Sequence, residues 1–174
     1  MTLLQAAFTY AMQLMTTTNH GMAYDQAVMQ ETITAIVETA DNQDLQMIET
    51  LIKIARWESG GFRRDVATCK VRGDDGNARG LFQVHPVGRQ EYIDTCSKDY
   101  HDQVRVAIAH IQNSIAICRM HGYKGSDLLS IYTRGSCHHG GSAAKLRWGN
   151  GKALEALLYT EQNETLTKKS AEIN

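Results

Sequence analysis

Val104, Ile108, Ile111, Ile115 and Cys118 recur at alternating steps of four and three residues. That is the spacing of one apolar face on a long α-helix. Such a stripe must be covered by other elements, so a chain carrying it is committed to packed helices. The flanking segments agree. Helical spacing predicts a first helix from about Leu3 to Met15, a second from about Gln26 to Thr39, and a third from Leu45 to about Ser59 with Asp44 as its N-cap. Gly122 ends the long helix, Asp127 or Ser126 caps another through "LLSIYT", and "AAKLRW" and "KALEALLYTE" predict two short ones. The single proline forces few breaks on these helices.

The pattern changes between Gly60 and Pro86, where glycines stand at 60, 61, 73, 76 and 80. "GDDG" is a turn signal and "LFQV" reads as a short extended or turning segment. The expected fold class is therefore mainly α, of an α+β kind: a helical domain with a small β-hairpin or irregular lobe. A length of 174 residues suits one such domain. "TTTNHGMAYD" breaks the pattern after the first helix, and the tail "NETLTKKSAEIN" is polar and expected to fray.

The 18 basic and 19 acidic residues leave a formal charge of -1, which gives no electrostatic argument for nucleic acid or an anionic membrane surface. No segment approaches the roughly 18 apolar residues of a spanning helix. "MTLLQAAFTYAMQLM" lacks the basic start and small-residue cleavage site of a secretory signal, and reads as a first core helix.

The four cysteines allow three pairings. Cys69–Cys96 and Cys118–Cys137 are favoured because each would tie neighbouring segments together. Four reduced, packed thiols are the alternative, given no visible signal. Cys118 and His121 with Cys137, His138 and His139 also have spacing from which a zinc site can be built, using the same sulfur atoms as one of the disulfides.

The most unusual charge is Glu58, in "ARWESGGF". Leu51, Ile54 and Ala55 lie seven, four and three residues before it, on the same helical face. Glu49, Lys53 and Arg56 form the opposite face, expected to be solvated. Glu58 thus extends the buried stripe. A carboxyl group set against apolar groups favours its protonated form, and a helix C-terminus disfavours negative charge. A carboxyl that keeps its proton near neutral pH is what a general acid needs. The plainer reading is a helix-end carboxylate that caps the turn or pairs with Arg63 or Arg64.

"ESGGF", then "GDDGNARGLFQVHP", then a long helix, then "LLSIYTRGSC" together resemble the lysozyme-like superfamily. The likeness is to soluble lytic transglycosylases and goose-type lysozymes, including related domains of phage lysins and virion proteins. That family shows a Glu-Ser-Gly start, a "GLxQ(V/I)xP" segment about twenty residues on, and a later "AxYxxG" helix, and the resemblance runs over Leu45 to Leu158. It implies that Glu58 is the proton donor and that Gln83 lines the sugar cleft, where an amide can both donate and accept. Gly80 would let the backbone approach the substrate. Phe82 and Ser59 are further expected substrate contacts, and the Tyr132 hydroxyl would face the glutamate. Asp74 and Asp75 are candidates for a second acid, with Asp65 weaker. The chain departs from the family at Thr133, where an asparagine is usual, at Phe82, where a methionine is usual, and in the longer "VATCKVRGDD".

The resemblance implies cleavage of the β-1,4 bond between N-acetylmuramic acid and N-acetylglucosamine in peptidoglycan. The first expectation is a lytic transglycosylase, which manages with one glutamate and closes a 1,6-anhydro ring. The alternatives are a goose-type hydrolase using Asp74 or Asp75 with water, or a non-catalytic wall-binding or virion structural protein. No cofactor or metal is expected. The partner is the glycan strand, met in the cell wall or periplasm by a monomer exported, or delivered by a phage or a secretion apparatus. Residues 1–44 read as a helical extension packed on the core, and as the contact for a virion or secretion partner. Residues 45–160 read as the catalytic domain and 161–174 as the tail.

Overall fold

The computed structural model describes residues 1–17, 24–138 and 141–160. The segment 18–23, His139 and the polar tail fall outside them. The described part is mainly helical. Helices α1 (Leu3–Thr16), α2 (Gln26–Thr39), α3 (Leu45–Glu58) and α6 (Tyr100–Met120) carry the core. Short helices α4 (Arg64–Ala67), α5 (Arg89–Asp94), α7 (Ser130–Arg134) and α8 (Gly141–Arg147) surround the irregular segments, and a last helix, α9, spans 152–160.

Local chemistry fixes the long elements. Thr2 and Gln5 form a reciprocal capping box on α1, and Asp25 and Asp44 cap α2 and α3 by accepting from Val28 and Met47. The α6 helix ends as its glycine predicts: Gly122 has φ 83, and the Tyr123 N–H returns to the Cys118 carbonyl at 3.0 Å, a Schellman closure. Ala7, Ala11, Val28, Ile33 and Ile36 of α1 and α2 lie in the same buried cluster as Ile48, Leu51 and Ile52 of α3 and Val104, Ala107 and Ile111 of α6. None of the described helices is long and apolar enough to cross a membrane.

Two expectations on α3 are corrected. Glu49 and Arg56 are not solvated; they are 1% and 5% exposed. Glu49 accepts from the Asn150, Ala153 and Leu154 amides at 3.1, 2.7 and 3.0 Å, so it caps the first turn of α9. Arg56 lies over the Trp57 ring and donates to the Leu14 carbonyl. Lys53, half-buried, reaches the Trp148 carbonyl at 2.8 Å. The helix expected from Asp127 or Ser126 also differs. Gly125–Leu129 is a 3-10 turn, and α7 begins only at Ser130 with no side-chain cap.

The lobe between Gly60 and Gly88 is irregular rather than a hairpin. It holds isolated antiparallel bridges, Gly73 to Ala78 and Arg79 to Val84, among the described residues. Its backbone is held by side chains instead of a ladder. Buried Gln103 of α6 accepts from Leu81 N–H at 2.9 Å and donates to the carbonyls of Ala67 and Ser97 at 2.9 and 2.8 Å. Arg79, itself buried, stacks on Tyr92 of α5 at 3.4 Å from the ring centre.

The cysteines form the disulfides Cys69–Cys96 and Cys118–Cys137. The first ties the lobe to the chain after α5. The second ties the end of α6 to the segment after α7, and its sulfurs are thereby withdrawn from any zinc site. Replacing both Cys118 and Cys137 by alanine is expected to lower unfolding stability by about 3 kcal/mol, chiefly by freeing the unfolded chain. Urea denaturation of the double variant beside the wild type measures this.

His101 on α6 bridges to Glu38 of α2 at 2.8 Å and to Asp99 at 2.7 Å. Its hydrogen bonds, first to Glu38 and then to Asp99, raise its pKa from the ordinary 6.5. A histidine raised on folding contributes fully below its unfolded value and loses that contribution as pH rises through the folded one. Stability should therefore fall as pH is raised from 6.5 upward through the raised value. The step should vanish in His101→Asn, measured by denaturant midpoints across that range.

Candidate active site

The cleft is built where α3 stops. The cap Ser59 keeps helical dihedrals, and Gly60 turns the chain left-handed at φ 63. The Gly61 N–H then closes onto the Arg56 carbonyl at 2.9 Å. Ser59 Oγ donates to the Ala55 carbonyl and accepts from Phe62 N–H at 2.6 Å, which folds the chain back sharply. Glu58, the last helical residue, is left in the wall of a cleft of about 730 Å³.

Three separate segments supply the rest of that wall. The lobe brings Asp74 and Gln83, α7 brings Tyr132 and Arg134, and α6 brings His110. The structure thus gathers Glu58, Asp74, Gln83 and Tyr132, all singled out from the sequence, into one cavity. Glu58 is paired, but with neither Arg63 nor Arg64. Arg63 pairs with Asp65 and Arg64 with Asp25. Its partner is Arg147 of α8, whose Nε donates to Oε1 while Nη1 holds the Ala143 carbonyl at 3.1 Å. The surroundings of Glu58 are therefore not the purely apolar ones its helical face implies. Among the described residues no hydrogen bond is made to Oε2.

Tyr132 donates its hydroxyl to the Phe82 carbonyl at 2.5 Å. Burial first, and then the Glu58 charge, push its pKa well above the ordinary value, with Arg147 acting the other way. The hydroxyl stays protonated, pins the lobe to α7, and sits within the field of the glutamate. Gln83, at φ 45, uses its amide twice on the lobe itself. Oε1 accepts from Gly73 N–H at 2.9 Å and Nε2 donates to the Gly80 carbonyl at 2.8 Å. One lone pair and one N–H of that amide remain for a ligand.

Three expected contacts are corrected. Phe82 is a core side chain and Ser59 is 1% exposed, its hydroxyl spent on the turn. Gly80 is required by protein, not by substrate: at φ 67, a Cβ there would meet the Thr95 carbonyl oxygen at 2.1 Å and Gln103 Oε1 at 2.7 Å. Asp65 lies away from the cleft, in ion-pair contact with Arg63. Asp75 neighbours the wall without lining it, whereas Asp74 lines it and faces His85 at 3.2 Å. Asp74 and Asp75 both take positive φ, 47 and 52, the turn geometry that "GDDG" signals.

Sequence reasoning passed over Arg147, His85, His110 and Arg134. His110 pairs with Glu91 at 3.0 Å. A helical wheel places it about 100° from Ile111, off the apolar stripe of α6, so the period gives no sign of a cleft. Comparison with protein-family models, with curated proteins and with solved structures returned no match to this chain.

Proposed function

We propose that this protein cleaves the glycan strand of peptidoglycan, with Glu58 as general acid and then base, as a lytic transglycosylase. The observation that carries the reading is the convergence of Glu58, Gln83 and Tyr132, from three separated stretches of sequence, on one cleft. These are the positions at which the motifs resemble the lysozyme-like superfamily.

The chemistry follows from the carboxyl group. Arg147 fixes Oε1 and leaves Oε2 as the oxygen that works on substrate. Glu58 is ion-paired through Oε1 in the resting protein, so the first step requires a proton taken up on Oε2. That proton passes to the glycosidic oxygen as the bond to the muramic acid C1 breaks, and the leaving N-acetylglucosamine departs with its hydroxyl. The carboxylate then takes the proton of the C6 hydroxyl, whose oxygen closes on C1 to give the 1,6-anhydro ring. No water enters the balance. Tyr132 holds the cleft floor, and Gln83 offers its spare amide positions to an N-acetyl or hydroxyl group. Two disulfides suit a protein that works outside a reducing cytosol.

A hydrolytic second reading is favoured by one observation: Asp74 shares the cleft and is exposed there beside His85. In that case the aspartate activates a water on the opposite face of the sugar. Mass spectrometry of muropeptides released from purified cell walls separates the two. Products lighter by one water than reducing-end muropeptides support the transglycosylase; reducing-end products alone support the hydrolase. Walls bound but never cleaved would favour a non-catalytic binding protein.

A further inference from the structure

Among the described residues that line the cleft, each acidic or basic side chain but one faces a partner of the opposite kind. Glu58 faces Arg147, Asp74 faces His85, and His110 faces Glu91. The Val87 amide and then His110 hold the Glu91 carboxyl below its ordinary range, so that pair is anchored by a carboxylate. Arg134 also lines the cleft, exposed, and among the described residues no carboxylate or carbonyl is hydrogen-bonded to its guanidinium. Its backbone is nonetheless anchored. It is the last residue of α7, whose next residue, Gly135, turns left-handed at φ 73. The Cys118–Cys137 disulfide anchors the chain two residues further on.

An arginine at a cleft wall with no carboxylate partner among the described residues is complementary to an anion on the ligand. We infer that Arg134 reads a carboxylate carried on the 3-O-lactyl substituent of the muramic acid, making the enzyme selective for anionic over neutral glycan strands. The inference rests on the proposed peptidoglycan-cleaving function and adds a specificity residue to it. That carboxylate has two sources: the lactyl group itself, free in strands stripped of peptide, or the acidic residues of an attached peptide stem. A planar fork of donors suits either.

The test compares wild type with Arg134→Gln on three substrates. These are intact peptidoglycan, strands stripped of peptide by an amidase, and intact peptidoglycan whose carboxylates have been converted to neutral amides. Arg134→Gln should lose roughly tenfold in kcat/KM on a carboxylate-bearing substrate, through KM, with kcat little changed. It should match wild type on the neutralised one. A loss confined to stripped strands assigns the lactyl carboxylate, and a loss confined to intact strands assigns the stem; either supports the inference. Equal loss on all three substrates, or no loss on any, overturns it while leaving the parent function standing. Failure of the wild type to cleave any of the three overturns the parent reading and this one together. Because the Arg134 guanidinium has no hydrogen-bond or ion-pair partner among the described residues, an unchanged melting temperature is expected of the variant and keeps the comparison one of recognition.

Discussion

Glu49→Ala should cost about 4 kcal/mol of unfolding free energy, and Glu49→Gln about half that. The carboxylate is 1% exposed and accepts from three backbone amides at the start of α9. Alanine leaves the buried Leu154 amide and the part-buried Asn150 and Ala153 amides without their acceptor, at about 1–3 kcal/mol for a fully buried donor and less for the others. It also removes a negative charge from a helix N-terminus. Glutamine keeps one oxygen, enough for Ala153 and Leu154, but turns an N–H toward the Asn150 N–H. The same carboxylate is felt by Tyr10 of α1, whose pKa is raised first by burial and then by the Glu49 charge. One side chain of α3 therefore links the first and last helices of the described fold. Urea denaturation followed by circular dichroism measures the loss. A change below about 0.5 kcal/mol, as for an ordinary solvated glutamate, would contradict this account.

Glu49 also shows where reading the sequence stops. The bounds of α2 and the Asp44 cap of α3 are legible because apolar period and capping residue act within a few positions of one another. The burial of Glu49 is decided by Ala153 and Leu154, 104 and 105 residues away. A helical wheel sees a polar residue opposite an apolar stripe and returns a solvated face. Glu58 is the same case with a different result. Its end-of-stripe position places it at a cleft wall, but Arg147 lies 89 residues on and has no local signal. The short helices α4 and α5 contain too few residues to show a period. Gly80 was marked by its motif, but what it makes room for, the Thr95 carbonyl, follows only from the packed lobe.

Glu58→Gln should lower turnover of peptidoglycan by about 10³-fold or more, within the range that positioned acid–base groups contribute. The substitution keeps the shape of the side chain and an oxygen that can still accept from Arg147, so the fold and the cleft should survive. What it removes is the exchangeable carboxyl proton. A glutamine amide does not protonate a leaving glycosidic oxygen, and it cannot afterwards serve as the base for the C6 hydroxyl. Both halves of the proposed reaction fail together, so kcat falls while strand binding is largely retained.

The most direct measurement is the release of soluble muropeptides from purified cell walls by wild type and by Glu58→Gln, prepared in parallel and matched for folded content by circular dichroism. The account predicts steady release by the wild type and release near background by the variant, with both proteins still sedimenting with the walls. Equal release by the two proteins would contradict it, because the proton would then come from some group other than Glu58.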